Sequence, residues 1–431
     1  MKHHVFWGIC LVLCATVLRF AYAAHSPSYI TTGDSVSYFL TAKHIVETGN
    51  LVDPWRTPVY PLLLAVPYVF SGHPMPTEIS GVFTSGLMCI RIWQSVFMVI
   101  GTLILYVICL KLRLNSFLSA ALSFVATADY TLLLLEHAIL TEAFSFFWLS
   151  IVVYFSVLLF TRFSWRYIAV LTILWIIGMF LRPSVIGLPF LILGASILRY
   201  RTRRMLVASI ISLILYVGVI TVYSRVNLSQ SGFSGISRIQ DVNMWGKLLH
   251  MGISDQDLGD SDTARKARAA MQVHAKHPFE IFRQFPELYK REHAGTFHNF
   301  TTGLVRDHLG AYVAHSVTSL PAVVTSPTDI VDKTATTGKY DAFFAVLKLI
   351  YQRLVYLSFI PLFGVLFVLY RAIKKSDATL SGVLCITLIG VYHVAVSSLM
   401  AYDDFGRLLA VARPLLLVST VLLIRELKKD I

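Results

Sequence analysis

Residues 199–223 read RYRTRRMLVASIISLILYVGVITVY. Four arginines, Arg199, Arg201, Arg203 and Arg204, stop at Met205, and no further charge appears before Arg225. An uncharged apolar run of this kind is a membrane-spanning helix, because about 20 residues rising 1.5 Å each cross the hydrocarbon layer. The arginines beside it mark its cytoplasmic end, where basic residues collect next to spans.

Applied outward, the same reading finds about ten apolar segments long enough, or nearly so, to cross a bilayer. They are 5–24, 87–110, 117–135, 139–160, 167–181, 185–198, 205–223, 343–370, 380–400 and 408–424. Alternating them across the membrane puts every strongly basic string on one side. Those strings are Lys111 with Arg113, Arg162 with Arg166, the four arginines above, Arg371 with Lys374 and Lys375, and Arg425 with Lys428 and Lys429. By the positive-inside rule that side is the cytoplasm, and both termini lie there.

Composition agrees. Of 431 residues, 56% are hydrophobic and 14% charged, against about 25% charged in soluble domains. A compact soluble enzyme, a disordered chain, collagen and a disulfide scaffold are excluded. The net charge of +13 sits in the juxtamembrane strings, where it meets anionic lipid head groups, so membrane lipids are expected partners and nucleic acid is not. The five cysteines, Cys10, Cys14, Cys89, Cys109 and Cys385, all fall in apolar segments, with no metal-ligand spacing. The first span has a signal-like Ala21-Tyr22-Ala23, but Arg19 interrupts its apolar run. It is expected to be retained.

The expected fold is therefore an all-α polytopic membrane protein with about 10 transmembrane helices. Residues 1–223 form an N-terminal membrane module, 224–341 an extracytoplasmic, mostly helical loop region, and 342–431 the C-terminal membrane helices. The first outer loop, 25–86, holds a helix candidate at 32–48 and an apolar, proline-punctuated piece at 58–70 that is too short to span. The loop at 224–341 has nearly balanced charge, helical character near 264–293 and Ser/Thr/Pro punctuation at 316–338. It is not apolar enough for a large core of its own and is expected to pack on the membrane part. The last outer segment is the short turn 402–406.

Polar residues at the outer membrane boundary are where chemistry is expected. In the helix candidate, Asp34, Tyr38 and Thr41 share a face by i, i+4, i+7 spacing. Asp34 either caps that helix or serves a site. Arg56 precedes Pro58, Tyr60 and Pro61. It either anchors to a lipid head group or grips a phosphate through paired hydrogen bonds. Glu142 opens an apolar helix on the same side as Asp34, and Glu136 and Asp129 are weaker candidates. Arg182-Pro183 separates two short spans. Arg407 has Asp403 four residues before it and is free to pair with it. Arg413 lies inside an apolar segment and needs a partner or a polar cavity. Tyr392 and His393 are placed to line the same cavity, with a structural role the simpler reading for the histidine. Asn227 and Asn299 head formal glycosylation triplets. No Walker loop, GxGxxG, HExxH or GxSxG occurs in a supporting context.

In order and membrane side these motifs resemble the GT-C superfamily, multi-pass glycosyltransferases that use polyprenyl-phosphate sugars. The resemblance is nearest to the branch of protein O-mannosyltransferases and the lipid A aminoarabinose transferase. It rests on Asp34, Tyr38 and Thr48-Gly49; on Arg56-Thr57-Pro58-Val59-Tyr60-Pro61; on Leu140-Thr141-Glu142; on Leu181-Arg182-Pro183; and on Gly406-Arg407 through Arg413-Pro414. It covers 25–200 well, the last span moderately and 224–341 weakly.

The resemblance implies a bacterial inner-membrane enzyme with its active site facing the periplasm. It would transfer a sugar with inversion from a polyprenyl-phosphate donor to a lipid, glycan or protein acceptor. It implies Asp34 as the group that accepts or orients the acceptor hydroxyl proton. Glu142 is implied as a catalytic partner that orients the donor or ligates a divalent cation, Mg or Mn. Tyr38, Arg56, Tyr60, Arg182, Arg407 and Arg413 are implied as substrate-binding residues. Asp34 has no acidic neighbour, so no metal or other cofactor is assigned. A transporter or flippase of lipid-linked glycans is the competing reading. Such proteins place their binding groups near the midplane, whereas these candidates gather at one face.

Overall fold

A computed structural model describes residues 2–26, 32–72, 75, 85–326, 341–374, 377–402 and 405–428. Lys375, Lys429, Asp403, Asp404 and most of the punctuated stretch 316–338 lie outside them. Among the described residues the chain is helical, with no strand, an all-α polytopic membrane protein.

Seven helical segments are long and apolar enough to cross a membrane: Lys2–His25, Gly86–Lys111, Glu142–Thr161, Pro183–Tyr200, Arg203–Ser231, Asp341–Ala372 and Ala378–Met400. An eighth is a bent pair, Ser116–Thr127 with Tyr130–Glu136, turned by 63°. The other two expected spans are helices of 17 and 16 residues, Trp165–Leu181 and Arg413–Lys428, shorter than the roughly 20 residues of a full crossing.

In chain order the helices that matter for the site are α1 (Lys2–His25), α2 (Gly33–Thr48), α3 (Val59–Ser71), α4 (Ser85–Lys111), α5 (Ser116–Thr127), α6 (Tyr130–Glu136), α7 (Glu142–Thr161), α8 (Trp165–Leu181), α9 (Leu188–Tyr200) and α10 (Arg203–Ser231). Local sequence sets most of their ends. Thr32 and Ser35 form a capping box at the start of α2, and Gly49 closes it in the left-handed conformation (φ +70°). Asn115 caps α5 and Thr202 caps α10. The bend between α5 and α6 has a cause that hydrophobicity hides. Asp129 Oδ1 accepts the Thr131 N–H at 2.7 Å, so the carboxylate starts a new helix and breaks the span. A prolyl break at Pro183 and Pro189 separates α8 from α9.

α7 and the helix Ala378–Met400 are the most deeply buried spans, whereas α10 exposes Ile210, Ile211, Ile214 and Leu215 along a lipid-facing side. The buried contacts combine close approach with hydroxyl pairs. Gly178 of α8 lies where a Cβ would fall 2.0 Å from the Trp148 ring, and Trp148 Nε1 donates to the Leu174 carbonyl at 2.7 Å. Thr172 pairs with Ser212 at 2.6 Å and Thr387 with Ser419 at 2.7 Å.

Residues 239–325 form α11 (Ile239–Met251), α12 (Asp262–Val273), α13 (Glu280–Gln284), α14 (Arg291–Asp307), α15 (Leu309–Thr318) and α16 (Leu320–Thr325). They build a small apolar core, with Trp245, Leu248, Leu249, Ile281, Phe282 and Phe297 buried and Trp55 from the first loop packed against it. They also pack on the membrane part, as expected. Lys247 Nζ and Ser398 Oγ donate to the carbonyls of Ser398 and Ser316 respectively, and Tyr312 Oη donates to Leu399 O at 2.7 Å.

The C-terminal helices are α17 (Asp341–Leu354), α18 (Phe359–Lys374), α19 (Ala378–Met400), α20 (Phe405–Ala410) and α21 (Arg413–Lys428). The segment expected as one span over 408–424 is interrupted between α20 and α21. Pro414, second in α21, has no N–H to continue the preceding helix.

Candidate active site

Four of the sequence-predicted residues converge. Asp34 stands in the first turn of α2, Arg56 in the turn before α3, Glu142 at the first position of α7 and Arg407 in α20. Asp34 Oδ2 accepts from Arg407 Nη1 at 2.7 Å, and its other oxygen accepts from Arg56 Nη2. Arg407 Nε donates to Glu142 Oε1 at 2.8 Å. The result is a chain, Arg56–Asp34–Arg407–Glu142, drawn from four elements spread over nearly the whole sequence. Its formal charge is zero. It opens toward solvent at Asp34, whose side chain is 32% exposed, against 10% for Arg56, 17% for Arg407 and 1% for Glu142.

Tyr38 and Tyr60 form the apolar wall. The Arg56 guanidinium lies 4.4 Å above the Tyr38 ring. Tyr38 meets Tyr60 edge-on at 4.8 Å, and Tyr60 meets Phe144 of α7 at 5.8 Å. Ser37 accepts from Arg56 Nε at 2.7 Å, and Asp53 Oδ1 accepts the N–H groups of Trp55 and Arg56 at 2.7 and 2.8 Å. Neither residue stood out in the sequence, since one serine within a helix and one aspartate in a loop carry no periodic signal.

Burial by itself would raise the Asp34 carboxyl, but the two guanidiniums, Arg407 ahead of Arg56, outweigh it and hold the group well below the usual carboxylate range. Burial would likewise lower Arg407, yet Glu142 and then Asp34 raise it well above its ordinary value. Asp34 as it stands is thus a poor proton acceptor and a firm anchor for two cations.

Two predicted residues sit elsewhere. Arg182 Nη2 donates to the Leu408 carbonyl at 3.1 Å, next in sequence to Arg407. It ties the α8–α9 break to α20 rather than entering the cluster. Tyr392 holds the same break, donating to Ser184 O at 2.8 Å and accepting from Gly187 N–H at 2.9 Å. Arg413 turns to Thr131 Oγ1 (3.2 Å), Ser326 O (3.0 Å) and, at 3.9 Å, Asp129. The expected apolar helix around it is absent because the chain breaks just before it, so it starts α21 beside the N-terminus of α6 instead of joining Asp34. Asp403 lies outside the described residues, and Arg407 spends its guanidinium on Asp34 and Glu142.

A divalent cation fits this donor set poorly. Among the described residues no three His, Cys, Asp or Glu side chains gather as ligands would. The two carboxylates present are separated by Arg407, whose positive charge would repel a dication.

The fold is similar to that of the archaeal oligosaccharyltransferase AglB from Archaeoglobus fulgidus in complex with an inhibitory peptide and a dolichol-phosphate, with a TM-score of 0.51 and 12% identity over 99% of this chain and 52% of that one. The apo form of the Archaeoglobus fulgidus oligosaccharyltransferase gives 0.50 and 11% over 99% and 52%. ArnT from Cupriavidus metallidurans bound to undecaprenyl phosphate gives 0.40 and 15% over 96% and 77%. The chain spans about half the length of the oligosaccharyltransferases it matches. No family model matches the sequence, and no curated protein does. At 11–12% identity the likeness to the archaeal proteins shows a shared fold of membrane helices.

Proposed function

We propose that this protein is a membrane glycosyltransferase that takes a sugar from a polyprenyl-phosphate donor and attaches it, with inversion, to an acceptor hydroxyl on the extracytoplasmic side of a bacterial inner membrane. The observation that carries the proposal is the chain Arg56–Asp34–Arg407–Glu142, with a half-buried carboxylate between two guanidiniums. It stands where α2, α3 and α7 begin. The dolichol-phosphate held by the archaeal protein of similar fold supports a lipid phosphate as the donor class.

Arg56 and Arg407 suit a phosphate, because a guanidinium offers it paired N–H donors in a plane. A donor phosphate competes with Asp34 for these groups. Once it takes them, Asp34 loses the cations that depress its carboxyl and becomes more basic. The acceptor hydroxyl then meets a carboxylate able to orient it and receive its proton. In the transfer, the acceptor oxygen bonds to the anomeric carbon as the bond from that carbon to the phosphate oxygen breaks. The electron pair and growing negative charge go to the phosphate, where the two guanidiniums stabilise them. Glu142 keeps Arg407 aimed. Tyr38 and Tyr60 support Arg56. Arg182 and Arg413 act one layer away, holding α20 and the start of α21. The membrane module 1–223 supplies three of the four charged groups, and 342–431 supplies Arg407.

The test is incubation of the purified protein in nanodiscs with radiolabelled polyprenyl-phosphate sugars and candidate lipid, glycan and peptide acceptors. Transfer of label, or slow release of free sugar, is the expected result. Movement of intact donor across a vesicle membrane without cleavage would establish the transporter reading instead.

A further inference from the structure

Arg238 is only 2% exposed and has one of the largest fully buried side chains in the protein. Its Nη2 donates to Leu288 O at 2.7 Å and its Nη1 to Tyr289 O at 3.1 Å. A guanidinium this deeply buried is costly; its hydrogen bonds go to these carbonyls, and the buried Asp241 carboxylate favours its charge.

What Arg238 touches gives it a purpose. Its guanidinium lies 4.6 Å above the Trp55 ring. Its backbone N–H donates to Pro54 O at 2.7 Å, and the neighbouring Ser237 Oγ donates to Trp55 O at 2.6 Å. Trp55 is also held edge-on by Phe282 at 5.7 Å and tilted against Tyr289 at 5.1 Å. The unit at 239–325, with Ser237 and Arg238 before it, therefore grips both residues that precede Arg56, while Asp53 fixes the turn from within.

We infer that Arg238 is a positioning residue: it seats the Pro54–Trp55 turn so that Arg56 reaches Asp34 and the donor phosphate. This rests on the function proposed above. It adds that the seating of the unit at 239–325 sets donor affinity through one turn of chain. A substrate that shifts this unit shifts Arg56 with it.

The experiment is a double-mutant cycle in full-length protein, with undecaprenyl phosphate binding in nanodiscs as the first readout. Arg238→Ala and Arg56→Ala each weaken binding about tenfold, and the double variant is no weaker than Arg56→Ala alone. Arg238→Lys, which keeps a cation over Trp55 and one donor for a carbonyl, recovers part of the loss. In turnover, Arg238→Ala raises the donor KM and leaves the acceptor KM unchanged. Additive losses in the cycle, or an equal fall in the apparent affinity for both substrates, overturn the inference.

Hydrogen exchange over residues 53–58 is the second readout and needs no ligand. It quickens in Arg238→Ala and in the milder Ser237→Ala, and unchanged exchange in both overturns the grip itself. A wild-type protein that binds no lipid phosphate while Arg238→Ala still loosens 53–58 refutes the functional reading and leaves the grip standing.

Discussion

At the residue scale the site turns on Asp34. Alone in the first turn of a capped helix, it is indistinguishable from an ordinary helix-dipole partner, and the sequence left both readings open. Its two cations favour the second reading, for a helix cap needs neither Arg56 nor Arg407. If Asp34 accepts the hydroxyl proton once the donor has taken those cations, Asp34→Asn lowers kcat by roughly a hundredfold or more. The donor KM does not rise, because the phosphate no longer competes with a carboxylate. Steady-state kinetics on the radiolabelled donor check both halves. A folded Asp34→Asn protein with full turnover would remove this residue from the chemistry.

At the scale of elements, the legible parts were those with period and punctuation. The helix candidate at 32–48 and the break at Pro183 were readable because each is signalled within a few residues, whereas Thr32 rather than Asp34 as the cap, and the break before Pro414, were not read. Nor were the span break at Asp129 and the true surroundings of Arg413, since one carboxylate inside an apolar run leaves hydrophobicity almost unchanged yet redirects the helix. The link from α6 to α7 shows a second such case. Gln94 of α4 donates both amide hydrogens, to Glu136 O at 2.7 Å and Ala138 O at 2.8 Å. Arg19 of α1 pairs with Glu136 at 3.0 Å. Together they fix the non-helical stretch that delivers Glu142. Gln94→Leu deprives two buried carbonyls of donors, costs about 1–3 kcal/mol and lowers the unfolding temperature in detergent.

The unit at 239–325 has its own titrating contact. His298 Nδ1 lies 2.8 Å from Asp241 Oδ1, and that hydrogen bond raises the histidine above its ordinary value. A raised folded-state pKa contributes stability that is complete below the unfolded value of about 6.5 and disappears as pH climbs through the higher folded value. Hydrogen exchange in α11 and α14 is therefore expected to be slower, after correction for intrinsic rate, at about pH 6 than at about pH 9. His298→Gln flattens the difference, and a wild-type profile already flat would exclude the pair as a source of stability.

At the scale of the whole molecule, Arg407 closes a circuit that no local reading could supply. It lies 373 residues from Asp34 and 265 from Glu142, so nothing in its own neighbourhood identifies its partners. Because Glu142 is buried, Arg407→Ala strands a carboxylate inside the protein, and breaking a buried pair from one side costs about 3–5 kcal/mol. The variant is expected to lose thermal stability and activity together, which by itself does not separate scaffold from chemistry. The double variant Arg407→Met with Glu142→Gln separates them. Without the stranded charge, stability returns close to wild type, whereas donor binding and transfer stay lost because the second phosphate-facing cation is gone. Melting in detergent and donor binding in nanodiscs, measured on the same preparations, read the two effects apart. Activity returning along with stability would mean that Arg407 only braces the membrane helices, and that the site works through Arg56 alone.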